Sequence, residues 1–341
     1  MSYASRIFLG LFSLVVLLGL ACPVGAADIQ GAGATFPYPI YAKWADSYKK
    51  KSGIGLNYQP IGSGGGIKQI KAKTVTFGAS DMPLKPEELK ESGLMQWPMV
   101  IGGVVPVVNI PGIQAGAMTL DGNALAQIYL GAILYWDDPA LAKLNPDLKL
   151  PHLAIAPVYR SDGSGTTFLF TAYLKEVDDA FSDKIGSNSS VSWVTGMGAK
   201  GNVGVATMVG QTTGSIGYVE YAYAMESHLT YTKMVNKAGK AMAPGIGSFQ
   251  AAAAHAEWSA DDGFYSVLVN QSGDDSWPMT GASFILMNNK PEDKAATKAA
   301  LDFFSWAFKH GADMAKTMAY VPIPEFVVQK IKASWKPLVE P

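Results

Sequence analysis

The chain has 341 residues, 27 Lys and Arg against 28 Asp and Glu, a formal net charge of −1, four His and one Cys. That balance, with no basic stripe, gives nucleic acid or an anionic membrane no charge to bind. One cysteine excludes a disulfide within the chain, and the length suits two domains with cores large enough to do without one.

Arg6 is the only charged residue ahead of the apolar run Ile7–Leu20, and Val24, Gly25, Ala26 and Ala27 follow it. A positive start, a short apolar run and an A-x-A-like end predict a secretory signal over residues 1–26, cleaved near Ala26, and hence an exported protein. The run is shorter than the ~20 residues of a membrane-spanning helix. Cys22 offers a lipoprotein alternative, disfavoured by Gly19, where such a signal prefers a leucine-like residue. Cleavage would remove the cysteine and Arg6, leaving the mature chain at −2.

Short apolar runs then alternate with helical patterns, which predicts an α/β fold. Strands are expected at Leu56–Ile61, Val75–Ala79, Val104–Ile110, Ile155–Arg160, Ile216–Tyr221 and Ser283–Met287. Helices are expected at Ile40–Lys50, Ile67–Ala72, Thr166–Lys175, Lys294–Phe308 and Glu325–Trp335, where apolar residues recur at three and four. Gly102, Gly103 and Pro106 argue against a membrane helix around Val100–Ile110. No low-complexity linker divides the chain, so two lobes would be joined by several crossings. Val104–Ile110 and Ser283–Met287 are the expected outgoing and returning crossings. Residues 27–103 plus 283–341 would then form one lobe and 104–282 the other.

Three Gly/Ser/Thr-rich loops precede expected helices: Gly31–Phe36, Gly62–Gly66 and Ser161–Thr166. A helix start leaves main-chain N–H groups unpaired and carries partial positive charge. Glycine lets that backbone approach a ligand, and Ser or Thr adds a hydroxyl donor. Each loop alone reads more readily as a plain helix cap than as a ligand site; three in an exported chain point to a small anion held by neutral dipoles. The first and third loops share G-x-G-x-T-F, at Gly31–Phe36 and Gly163–Phe168, which reads as coincidence or as a repeated anion-binding turn. Gly62–Lys68 lacks P-loop spacing, no G-x-S-x-G elbow is present, and His152, His228, His255 and His310 have no metal-ligand spacing. Neither a cofactor, nor a metal, nor a catalytic residue is expected.

Two charged residues complete the pattern. Arg160 ends a predicted strand just before the third loop, where a guanidinium could grip an oxyanion through two hydrogen bonds. Asp81 ends Phe77-Gly78-Ala79-Ser80-Asp81. A carboxylate only accepts hydrogen bonds, so beside an anion it rewards one that still carries a proton. Phosphate keeps a proton at neutral pH and sulfate has none. Asp81 fits equally the N-cap of a helix over Pro83–Lys90.

These segments together resemble the periplasmic phosphate-binding proteins of phosphate-specific ABC importers. The resemblance covers nearly the whole mature chain: Gly31–Pro37, Tyr41–Asp46, Gly62–Ile70, Phe77–Asp81, Asp121-Gly122, Ile128–Gly131, Trp136–Asp138, Arg160–Thr166 and Gly217–Ala222. It implies a two-lobed solute-binding fold with a hinge of crossing strands and inorganic phosphate in the cleft between the lobes. It also implies a monomer that delivers phosphate to the transmembrane permease subunits. The family's ligand-binding positions fall on Ala34, Thr35 and Phe36, then Ser63, Asp81, Arg160, Ser164, Gly165 and Thr166. The resemblance gives Asp81 the role of proton-reading acceptor, paired also with Arg160. Gly64 departs from the second serine of many relatives, and Ser161 is more polar than expected beside Arg160; neither is a contact position. Two alternatives remain: a binder of another tetrahedral oxyanion, or a secreted phosphohydrolase, which would need a metal cluster or activated nucleophile.

Overall fold

The computed structural model describes residues 28–339. The expected signal, its cleavage point and Cys22 lie outside the described residues.

A mixed ten-stranded sheet runs through the molecule. Its central path is Leu56–Gln59, Ile29–Gly33, Phe77–Ser80, Thr280–Asn288, Leu94–Val108, Ser215–Glu220, Ala156–Arg160 and Met197–Ala199. The expected strand Val104–Ile110 is the far end of a 15-residue strand, Leu94–Val108. Nearly every residue of that strand is buried, and a strand covered on both faces loses the polar alternation that would have marked its full length. Leu94–Gly103 pairs antiparallel with Thr280–Asn288, whereas Val104–Val108 pairs antiparallel with Ser215–Glu220. The change of partner falls between Gly103 and Val104. Two neighbouring strand sets thus share one continuous backbone, and a bend there would move them relative to each other.

Glycine at this junction makes room for packing. A Cβ on Gly102 would lie 3.0 Å from the Phe36 ring, and one on Gly103 would lie 2.1 Å from Phe249. Phe36 is fully buried and stacks edge-on to Tyr320. The turn after the first strand is therefore anchored in the core beside the crossing.

Most expected helices occur with ends shifted by a few residues: Tyr38–Ser52, Gly165–Val177, Lys294–His310 and Glu325–Ser334. The second helix differs in kind. It spans Ser63–Lys71, so Ser63 to Gly66 form its first turn instead of a loop before it. Each helical glycine costs about 1 kcal/mol relative to alanine, but a Cβ on Gly66 would lie 2.5 Å from Gly33 Cα. Tight packing on the neighbouring strand ends requires the glycine that propensity disfavours.

Candidate functional site

Four chain segments converge where the sheet changes partners. Strand Ile29–Gly33 delivers Thr35, the glycine-rich helix start delivers Ser63, strand Phe77–Ser80 delivers Asp81, and strand Ala156–Arg160 delivers Arg160 and the Ser164–Thr166 turn. Thr35, Ser63, Asp81, Arg160, Ser164 and Thr166 are all buried. The structure brings together all nine residues expected from the sequence.

The two strand sets meet here through hydrogen bonds from main-chain N–H groups. Gly64 N–H donates to Gly163 O at 2.9 Å, and Gly165 N–H donates to Ser63 Oγ at 3.0 Å. Gly62, at φ 90°, is a conformation few other residues adopt and turns the chain into the helix. Gly165 is required for a different reason: a Cβ there would lie 2.5 Å from Asp81 Cβ and 2.6 Å from Ser63 Oγ.

Ser63 has a defined polarity. Its oxygen accepts from Gly165 N–H and, at 3.2 Å, from Asp81 N–H. With both lone pairs occupied, its hydroxyl proton must be donated elsewhere. Ser164 accepts from Thr167 N–H at 3.0 Å as the N-cap of its helix, which leaves its hydroxyl proton available as well. Ala34 differs. Its N–H donates to Ala79 O at 2.9 Å and its carbonyl accepts from the Tyr58 hydroxyl at 2.7 Å. Both main-chain groups of Ala34 are committed, so it shapes the turn and offers no donor.

Asp81 does not cap a helix. The next helix starts at Pro86 with Lys85 as N-cap. Asp81 is instead a buried acid whose Oδ1 has no hydrogen-bond partner among the described residues. Burial raises its pKa to about 7, while the Ser283 hydroxyl, the Arg160 charge and the Ser63 hydroxyl pull it down. Ser283 adjoins a register shift in the returning strand, between Ser283 and Phe284.

Arg160 does not pair with Asp81 as the resemblance implied. Its Nε and Nη2 clasp Asp162 Oδ1 and Oδ2 at 2.7 and 2.6 Å, and its Nη1 donates to Thr166 Oγ1 at 3.2 Å. Asp162 lies two residues along the same turn and meets the guanidinium fork in its preferred bidentate geometry. Gly201 N–H holds Asp162 Oδ1 at 2.9 Å. Burial raises the Asp162 pKa, but the Arg160 hydrogen bonds and charge outweigh it and leave the carboxyl below its ordinary value. The guanidinium charge is thus balanced locally.

Sequence reasoning missed a supporting layer. Asn202 donates through Nδ2 to Thr35 Oγ1 at 2.8 Å and to Thr166 Oγ1 at 3.3 Å. Tyr223 donates its hydroxyl to Thr35 O at 2.6 Å. The Tyr320 hydroxyl lies 2.7 Å from both Phe36 O and Glu220 Oε2. Burial pushes the Glu220 pKa well above the carboxylate range, against the Tyr320 and Ala222 hydrogen bonds. Glu220 lies in the Gly217–Ala222 segment singled out from the sequence, but nothing local marked Asn202 or Tyr320. The shared G-x-G-x-T-F pattern does not give its threonine the same place in both turns: Thr35 faces this site, whereas its counterpart Thr167 lies 2.8 Å from the Tyr218 hydroxyl.

Two strand sets that share one crossing strand, with buried polar side chains from both where they meet, have the two-lobed architecture of a solute-binding protein. Residues 23–310 match the model of the PBP superfamily domain. A phosphate-binding protein PstS of Pasteurella multocida is 54% identical over 311 residues, covering 91% of this chain and 90% of the relative. Its counterpart in Haemophilus influenzae is 52% identical over 322 residues, covering 94% and 96%. The fold matches a high-affinity periplasmic phosphate-binding protein solved with phosphate, at TM-score 0.71 and 21% identity over 90% of this chain and 93% of that one. The chain belongs to the phosphate-binding protein PstS family within the PBP superfamily.

Proposed function

We propose that this protein captures inorganic phosphate in the periplasm and delivers it to the permease subunits of an ABC-type importer. It binds the anion without chemistry, as a binding protein and not an enzyme. The observation that carries this reading is Asp81, a buried carboxyl with an unpartnered oxygen among the donors Ser63, Thr35, Thr166 and Arg160. Donors alone would suit any tetrahedral oxyanion. An acceptor among them favours one that brings its own hydrogen, and phosphate does so at neutral pH while sulfate does not.

The ligand-binding residues of this reading are Thr35, Phe36, Ser63, Asp81, Arg160, Ser164, Gly165 and Thr166, with Ala34 shaping the first turn. Residues 27–103 with 283–341 form one lobe and 104–282 the other. The change of strand partner between Gly103 and Val104, and the pairing of Thr280 with Gly103, support those crossings. A signal over residues 1–26, cleaved near Ala26, accounts for export, with Cys22 removed and no lipid attached. The free protein samples an open state, phosphate bridges the turns of both lobes, and closure completes the donor shell.

Isothermal titration of phosphate-free protein with phosphate and with sulfate at pH 8, above the Asp81 pKa of about 7, tests the reading. Phosphate is expected to bind and sulfate not; comparable sulfate binding overturns it. Asp81→Asn is expected to gain sulfate affinity, because the amide can donate to a proton-free oxygen.

A further inference from the structure

Thr35 and Thr166 come from opposite sides of the site, and a hydroxyl can donate or accept. What sets their polarity is a third residue. Asn202 is fully buried in the first turn of helix Gly201–Gln211. Glu220 N–H points at its amide oxygen at 3.0 Å. A main-chain N–H can only donate, so the atom facing it is Oδ1 and the atom facing the two threonines is Nδ2.

The lone pairs can then be counted. Thr35 Oγ1 accepts from Asn202 Nδ2 at 2.8 Å and from Asn202 N–H at 3.3 Å. Thr166 Oγ1 accepts from Asn202 Nδ2 at 3.3 Å and from Arg160 Nη1 at 3.2 Å. Each hydroxyl oxygen has two lone pairs, and both are occupied in each case. Neither hydroxyl retains the option of accepting.

We infer that Asn202 is a positioning residue that forces the Thr35 and Thr166 hydroxyls to act only as donors toward the bound anion. Its single amide spans the two sides of the cleft, so this polarity is complete only when the cleft is closed. The arrangement sharpens discrimination: wherever a ligand meets these hydroxyls it must present an acceptor, and a ligand proton can be received only at Asp81. This inference rests on the phosphate reading above.

The test is a mutant cycle read as phosphate Kd by titration calorimetry. Asn202→Ala is expected to weaken binding about tenfold or more in the natural background, through the loss of buried hydrogen bonds that orient two donors. In a Thr35→Val, Thr166→Val background the same change is expected to cost less than about threefold, because the groups through which the amide acts are gone. An equal loss in both backgrounds overturns the inference and assigns Asn202 a purely structural role. Asn202→Asp keeps the shape and serves if the alanine variant folds poorly. At pH 8 its carboxylate would draw the hydroxyl protons to itself, so it is expected to bind phosphate more weakly than wild type by at least the alanine factor. Wild-type affinity in Asn202→Asp overturns the inference. Failure of the wild-type protein to bind phosphate overturns the functional reading and this inference with it, whereas wild-type binding without coupling overturns only the inference.

Discussion

Asp81 sits where a carboxylate is hard to keep charged. Burial lifts its pKa to about 7, against an ordinary value of 3.8. The closed, ligand-free protein therefore holds a proton that the unfolded chain has lost between about pH 4 and pH 7. The stabilising contribution is complete below that window and disappears as pH rises through about 7. Urea unfolding in phosphate-free buffer is expected to show wild type losing stability relative to Asp81→Asn between pH 5 and pH 8. A constant difference across that range would contradict the assignment. Glu220 is shifted in the same direction, so only the difference between the two proteins isolates Asp81. Legibility at this scale was uneven. The glycine-rich turns and Asp81 were candidates from residue type and motif, but a plain helix cap fitted each of them as well, and the family resemblance favoured a binding role. The partner of Arg160 was not legible: the resemblance implied Asp81, and only the placement of the side chains shows Asp162 in its stead.

Among the elements, the two glycine-rich turns act as a fitted pair. Gly165 is the contact point at which the third turn meets Asp81 and Ser63. In Gly165→Ala the added methyl would have to occupy that contact, and closure would be obstructed while each half still folds. The expected result is a phosphate Kd raised about tenfold or more, the equivalent of about 1.4 kcal/mol. The ligand-free thermal midpoint should change little, and a large drop would mean that the turns pack together before the ligand arrives. Tyr320 joins two other elements through a single hydroxyl, between Phe36 O and Glu220 Oε2. Tyr320→Phe leaves a buried acceptor unmatched and is expected to cost about 1–3 kcal/mol in chemical denaturation. Helices with a clear apolar face were readable at this scale. The helical state of Ser63–Gly66 was not, because three consecutive glycines argue for a loop until the neighbouring strand ends are seen to exclude a Cβ.

At the scale of the molecule, the crossing strand Leu94–Val108 carries the argument. It pairs with one set of strands up to Gly103 and with another from Val104, so a small dihedral change there would swing the two sets. Phosphate that favours the closed arrangement should stabilise the fold by mass action, by about 4 kcal/mol at a thousand times its Kd. A phosphate-dependent rise in thermal midpoint, with a fall in radius of gyration by solution scattering, is the expected pair of results. A midpoint shift without compaction would place closure before binding. The α/β class was legible in the chain alone, and the three glycine-rich segments and Asp81 stood out as candidates, because periodicity and residue type are local. The tertiary structure alone decided that Arg160 clasps Asp162, that Ala34 offers no donor, and that Asn202 holds Thr35 and Thr166 together. Those facts depend on which segments far apart in the chain become neighbours, and pairing at a distance leaves no local periodicity to read.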